Sequence, residues 1–301
     1  MTSHTTTLPP VAADLPDILE ERTLRSGITG LALRHLSVTV GLIGLGLLLF
    51  IAVGAPWLGT VDPLALNPAL RIKPPSPEHF FGTDMLGRDL WSRVLYGTRV
   101  SLIVGFSVAM LATAIGALLG MVAGFIRTTD MVIMRVMDAV MSIPSILLAI
   151  ALVALTRPSV LNVVIAITVA EIPRVARLVR SVVLSLRELS YIEAGIVSGS
   201  SPAQIIRRHI LPNAIAPIIV QATYICASAM IIEATLSFIG AGTPASVPSW
   251  GNIMAEGRAV WQVRPLIMLI PAAFLSFTVL AVNMVGDGLR DALDSRLVKD
   301  I

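Results

Sequence analysis

Glu233 is a carboxylate set inside a long apolar run, Ala214 to Ile239. An ionised group is costly in hydrocarbon, so an acid there either faces a transport path or gate, or is held by a structural hydrogen bond. Glu171 precedes Pro173 and stands three residues before Arg174, the spacing of an ion pair on one helix face. Few other groups invite chemistry. The two lysines, Lys73 and Lys299, follow Ile72 and Val298, so the Gly-Lys-Ser/Thr of a phosphate-binding loop is absent. His4, His35, His79 and His209 are scattered, and neither His-Glu-x-x-His nor Gly-x-Ser-x-Gly occurs. The chain is not expected to be an enzyme, and neither a metal nor a cofactor is expected. The single cysteine, Cys226, lies in an apolar run, excludes an intrachain disulfide and reads as a small buried side chain.

The stretch most able to engage a partner is Tyr191 to Asn213, a polar and basic island between apolar runs. Gly199-Ser200 interrupts a first helix. Ser201 then serves as N-cap, Pro202 fits the first helical position and Gln204 completes a capping box. Pro212 is expected to end this second helix. Ala203, Ile206 and Ile210 share one face by helical spacing, while Arg207 and Arg208 point elsewhere. The expectation is a compact knob, apolar on its packing side and charged on its docking side.

Glu193-Ala194, Gly199 and Leu211-Pro212 together resemble the cytoplasmic "EAA" loop of permease subunits of binding-protein-dependent ABC importers. Gly195 stands where a second Ala is usual, and His209 where Ile is usual. With Phe81-Gly82-Thr83-Asp84-Met85-Leu86-Gly87-Arg88-Asp89 and His209-Ile210-Leu211-Pro212-Asn213, the chain is similar to the C-type subunit of the dipeptide/oligopeptide permease family from about residue 36 to 294. The resemblance implies the type I importer fold. It also implies a second, B-type permease subunit, two ATPase subunits that hydrolyse ATP, and an extracytoplasmic solute-binding protein. The residues it marks for ATPase coupling are Glu193, Ala194, Gly199, Ser201, Pro202, Ile206, Arg207, Arg208, His209, Leu211 and Pro212.

Composition agrees independently on the membrane. Of 301 residues 55% are apolar and 14% charged, outside the usual range for a soluble domain of this length. The fold class expected is an all-α polytopic membrane protein with six transmembrane helices. They are Leu36 to Pro56, Val100 to Ile126, Met131 to Leu155, Val160 to Val179, Ala214 to Ile239 and Pro265 to Val285, each long enough to cross the hydrocarbon core. The domains expected are a cytoplasmic tail (1–35), a first helix with a Pro-rich outer loop (36–99), a transport domain (100–290) containing the coupling loop (180–213), and a cytoplasmic tail (291–301). With both termini inside, the cytoplasmic segments carry 14 of the 22 basic residues and the outer loops eight. The positive-inside rule therefore puts the knob in the cytoplasm. The basic residues do not cluster as a nucleic-acid footprint would.

Gly116, Gly120 and Gly124 form a small-xxx-small stripe that lets another helix approach closely, either within this subunit or at a subunit interface. Arg135 and Asp138 are spaced to pair, Pro144 is placed to kink the third span, and its methionines suit adaptable packing. In the outer loop Gly82, Thr83, Asp84, Gly87, Arg88 and Asp89 offer too few oxygens for calcium. Thr83 or Asp84 capping a short helix, with Arg88, Asp89 and Arg93 as mutual partners, is the simpler expectation. Ser249 to Gln262, framed by Trp250 and Trp261, reads as an outer interfacial helix anchored by its indoles, either plain anchorage or part of a docking surface. The solute expected from the resemblance is a di- or oligopeptide, with nickel complexes or glutathione as alternatives. An ion-coupled carrier would call for internal repeats and mid-span carboxylates, which are nearly lacking.

Overall fold

A computed structural model describes residues 36–297, whose regular secondary structure is helical apart from one isolated bridge between Thr83 and Asp89. The expected tail of residues 1–35 and the last four residues of the chain lie outside the described residues. The helices are α1 (Leu36–Gly54), α2 (Leu90–Phe125), α3 (Arg127–Met141), α4 (Ser145–Ala154), α5 (Val160–Arg187), α6 (Ser190–Val197), α7 (Pro202–Ile205), α8 (Leu211–Phe238), α9 (Trp250–Gly257) and α10 (Leu266–Leu297).

Four helical segments are long and apolar enough to cross a membrane: Leu36–Trp57, Leu90–Phe125, Pro202–Phe238 and Leu266–Asp291. Helices α3 and α4 make a fifth if taken as one broken span, bent by 85° between Met141 and Ser145. The expected kink at Pro144 is thus a right-angle turn. Proline disfavours helical geometry in the residue before it, and Pro144 itself is extended at ψ 132°. The expected fourth span belongs to α5, which runs on to Arg187 and does not reach the same apolarity because Glu171, Arg174, Arg177 and Arg180 lie along it.

Helix α2 is the organising rod and begins inside the expected outer loop. Asp89 caps its start, accepting the Ser92 N–H at 2.8 Å. Its most extensive contact is with α5, followed by α8. The stripe Gly116, Gly120, Gly124 makes the first contact close: a β-carbon at Gly120 would lie 2.5 Å from the Ala176 carbonyl, and those at Gly116 and Gly124 would meet Val175 and Val183. All three partners are on α5 of the same chain. The main core gathers where α2, α5 and α8 meet, including Val104, Val108, Ile167, Val179, Ile225 and Met230. A second, smaller core of Leu90, Val94, Trp250, Ile253 and Ile267 joins the start of α2 to α9 and α10. Helix α1 packs chiefly on α10.

Across the knob end, Arg180 of α5 grips Asp130 of α3 through two nitrogens, and Arg177 donates to Asp138 at 2.7 Å. Asp138 therefore pairs between helices and not with Arg135 as expected, because α3 lies against α5 and a neighbouring helix offers a guanidinium in bonding position. Of the α3 methionines, Met137 is buried, whereas Met131 and Met141 are exposed.

Candidate coupling site

The knob is built from α6, a reversal at Gly199, and α7. Gly199 has φ +81°, its N–H bonds the Ile196 carbonyl at 3.0 Å, and the Ser200 N–H reaches back to the Gly195 carbonyl at 3.1 Å. This is a Schellman closure, which requires a left-handed residue and so explains the glycine. The Ser201 hydroxyl then accepts the Gln204 N–H at 3.3 Å and starts α7 with Pro202 in the first turn.

Beyond α7 the expectation of a stop at Pro212 is corrected. Residues Ile206–Ile210 form a π-helical turn that passes directly into α8, with Pro212 in the first turn of α8. Proline lacks an N–H to give, and the wider i to i+5 turn just before it provides a place where that donor is not needed. The same widening shifts the packing face. Ile205 and Ile210, five apart, are buried with Ile192, while Ala203 is exposed and Ile206 half-buried. The expected face of Ala203, Ile206 and Ile210 thus holds only for Ile210.

The outward side of the knob presents Glu193, Ala194, Ile196, Val197, Gly199, Ser201, Pro202, Arg207 and Arg208. Val197 is 84% exposed, beside the exposed Ile196. His209 is half-buried, its ring 6.0 Å from that of Tyr191. Leu211 is half-buried and Pro212 exposed at the root of α8.

At the opposite end of α8, Glu233 is fully buried. Its Oε1 accepts the Ser237 hydroxyl at 2.8 Å, while Oε2 has no hydrogen-bond partner. Ser237 in turn accepts the Thr243 N–H at 3.1 Å, and Asn252 donates to the Thr243 hydroxyl at 3.0 Å. A hydroxyl relay therefore ties α8, the loop after it and α9 together around one acid.

The outer-loop motif is explained residue by residue. Asp84, fully buried, accepts from the backbone N–H of Leu86 and Arg88, from Arg88 Nε at 2.7 Å and from Arg93 Nη1. Glu256 on α9 accepts from both arginines. Thr83 donates to the Leu70 carbonyl and accepts the Lys73 N–H at 2.9 Å, and the Gly82 carbonyl receives the Leu90 N–H at 3.0 Å. Gly87 has φ +76°, and a β-carbon there would sit 1.8 Å from the Asn67 carbonyl. Two expectations are corrected. The cap is Asp89 and not Thr83 or Asp84, and Asp89 bonds His79 at 2.9 Å instead of joining Arg88 and Arg93. Sequence spacing could not reveal Glu256, which lies far along the chain. Trp250, expected as an interfacial anchor, is fully buried and donates its indole N–H to the Val94 carbonyl at 3.1 Å. Trp261 is 44% exposed. Among the described residues no group of His, Cys, Asp or Glu is placed to hold a metal.

Residues 112–299 match the family described as "Binding-protein-dependent transport system inner membrane component". A relative from Brucella abortus biovar 1, whose name assigns it provisionally to a peptide transport system as permease protein, is 48% identical over 265 residues, 88% of this chain and 90% of that one. The "Dipeptide transport system permease protein" of Alkalihalophilus pseudofirmus is 45% identical, covering 86% and 85%. The "Glutathione transport system permease protein" of Pectobacterium atrosepticum is 40% identical, covering 88% of each. Among solved structures, inward-facing forms of the MetNI methionine ABC transporter match with a TM-score of 0.57 at 22% identity, over 66% of this chain and 95% of that one. This likeness bears on the fold. Its helical bundle, its membrane-length helices and these matches make the chain a member of the binding-protein-dependent family of inner-membrane transport components, a multi-pass permease subunit of an ABC importer.

Proposed function

We propose that this chain is one of two permease subunits of an importer for di- or oligopeptides, working with a B-type permease, two ATPase subunits and an extracytoplasmic solute-binding protein. The relatives named for peptide and dipeptide transport support the solute class, with the glutathione relative marking the nearest alternative. In this reading six spans cross the membrane, the broken pair α3–α4 and the polar α5 adding to the four apolar segments, with both termini cytoplasmic.

The observation that carries the mechanism is the knob's exposed face: Glu193 and Val197 stand on α6, and Arg207 and Arg208 stand on the segment that continues as helix into a membrane-length span. ATP binding closes the ATPase pair, each ATPase moves the knob docked on it, and the attached helices rock so that the central cavity changes sides. Glu233 and its hydroxyl relay, at the far end of the same segment, act as an outer gate element.

The test is a photo-cross-linking residue at Val197 in the assembled importer. The expected product is an adduct with the ATPase that is lost when the ATPase is omitted. Illumination that yields adducts only with the other permease or the binding protein would overturn the docking reading. In parallel, Glu193→Ala is expected to lower peptide uptake while the subunits still purify together.

A further inference from the structure

Halfway along α5, and halfway along α8, one basic and one aromatic side chain meet on an open surface. The Arg174 guanidinium lies over the Tyr224 ring, 5.6 Å from its centroid. Arg174 is 41% exposed and Tyr224 53%. Beneath them Glu171 is fully buried; its Oε2 accepts from Arg174 Nη1 at 3.0 Å, and its Oε1 has no hydrogen-bond partner. The pair sits near the midpoint of α5, which runs on to Arg187.

An accessible cation on a membrane helix does not face lipid, because hydrocarbon offers its N–H groups nothing to bond. A water-filled transport path would offer those groups partners. Glu171 holds the guanidinium through one nitrogen, and no other hydrogen bond to this guanidinium is found among the described residues. Arginine matches a carboxylate through paired N–H groups, and the Tyr224 ring fixes the plane of the fork by cation–π contact. One turn further toward the knob, Arg177 stands with Asp138 in a second such arrangement, 52% and 60% exposed. Each arginine already has an acid partner, so an arriving carboxylate is held weakly and is passed on, as conduction requires.

We infer that Arg174, seated on Tyr224 and backed by Glu171, lines the transport path and is a solute-contact site that takes the carboxylate end of a passing peptide, with Arg177 as the next station toward the knob. This rests on the reading of the chain as a peptide-importer permease. The class of ligand is a small carboxylate, with an apolar group beside it against the phenol ring.

The test uses the complete wild-type importer, without its solute-binding protein, in detergent and first shown to hydrolyse ATP, so that a negative result speaks against the site and not against the broader reading. Phenylglyoxal labels accessible arginines, and mass spectrometry reads the modification of Arg174. The probes are dialanine and dialanine amide, which differ only in the terminal carboxylate. The expected result is that Arg174 is labelled and that dialanine slows the labelling several-fold while the amide does not. Equal protection by both probes, protection by neither, or an unlabelled Arg174 beside a labelled Arg207 would each overturn the site. As a second measurement, Arg174→Gln is expected to reduce the maximal uptake rate of the whole importer several-fold without changing the solute concentration for half-maximal uptake, with Arg174→Lys intermediate; a Gln variant transporting at the wild-type rate would also refute it.

Discussion

Arg180 of α5 and Asp130 of α3 meet through two nearly parallel bonds, Nε to Oδ1 at 2.5 Å and Nη2 to Oδ2 at 2.6 Å. Only this pair and Arg177 with Asp138 link the two helices by side-chain hydrogen bonds among the described residues. Lysine cannot reproduce the fork, so Arg180→Lys is expected to behave much like Asp130→Asn. Both groups are partly exposed, and each single change should cost about 1 kcal/mol or less. The charge-reversed double variant Asp130→Arg with Arg180→Asp should recover part of the loss. Thermal unfolding of the detergent-solubilised protein checks this, and a strictly additive double variant would show that the pair is not coupled.

Two left-handed glycines predict opposite severities. At Gly87 a methyl group would overlap the Asn67 carbonyl as well as strain the backbone, whereas at Gly199 nothing lies within 4 Å of the added carbon. Gly87→Ala should abolish accumulation of folded protein in the membrane. Gly199→Ala should cost about 1–2 kcal/mol through backbone conformation alone and still accumulate. Quantifying the membrane-inserted, monodisperse fraction of each variant decides it; similar yields would refute the distinction.

Gly120→Val drives two methyl groups into the α2–α5 contact, where the Ala176 carbonyl and Val179 already limit the space. Overpacking of this kind typically costs about 1–3 kcal/mol, and backbone atoms cannot step aside as a side chain does. The measurement is the unfolding midpoint, with Gly46→Val as comparison, because a β-carbon at Gly46 meets nothing within 4 Å. Equal midpoints for the two variants would show that the stripe is not a close contact.

Glu233→Gln keeps an oxygen able to accept the Ser237 hydroxyl and should leave stability almost unchanged. Glu233→Leu removes that acceptor, turns the relay through Thr243 and Asn252 loose at one end, and should cost about 1–3 kcal/mol. If Glu233 also acts at a gate, the Gln variant will fold normally but transport at a different rate. Uptake and unfolding measured on the same two variants separate the structural contribution from the gating one.

The sequence made the membrane helices and the knob legible because both are written in local terms. Apolar length gives the span, and Gly199 with Ser201-Pro202 gives the reversal. The Glu171–Arg174 pair was equally local, three residues apart on one helix. What remained hidden was set by groups distant in the chain. On paper Asp84 reads as a cap and Asp89 as a partner of the arginines, yet Glu256, arriving with α9, joins Asp84 in holding Arg88 and Arg93, and Asp89 caps α2. Trp250 reads as a belt residue by its type and is a core residue by its packing against Phe274 and Val94. Pro212 reads as a terminator, yet one wide turn before it lets the helix carry on.

That wide turn has a mechanical meaning. Because it joins the knob to α8 without a break, Pro202–Phe238 is one continuous helical segment of 37 residues, about 55 Å along its path at the usual rise per residue. A sideways push on Arg207 therefore reaches Glu233 along unbroken helix, with the wide turn and Pro217 as the places where the rod can bend.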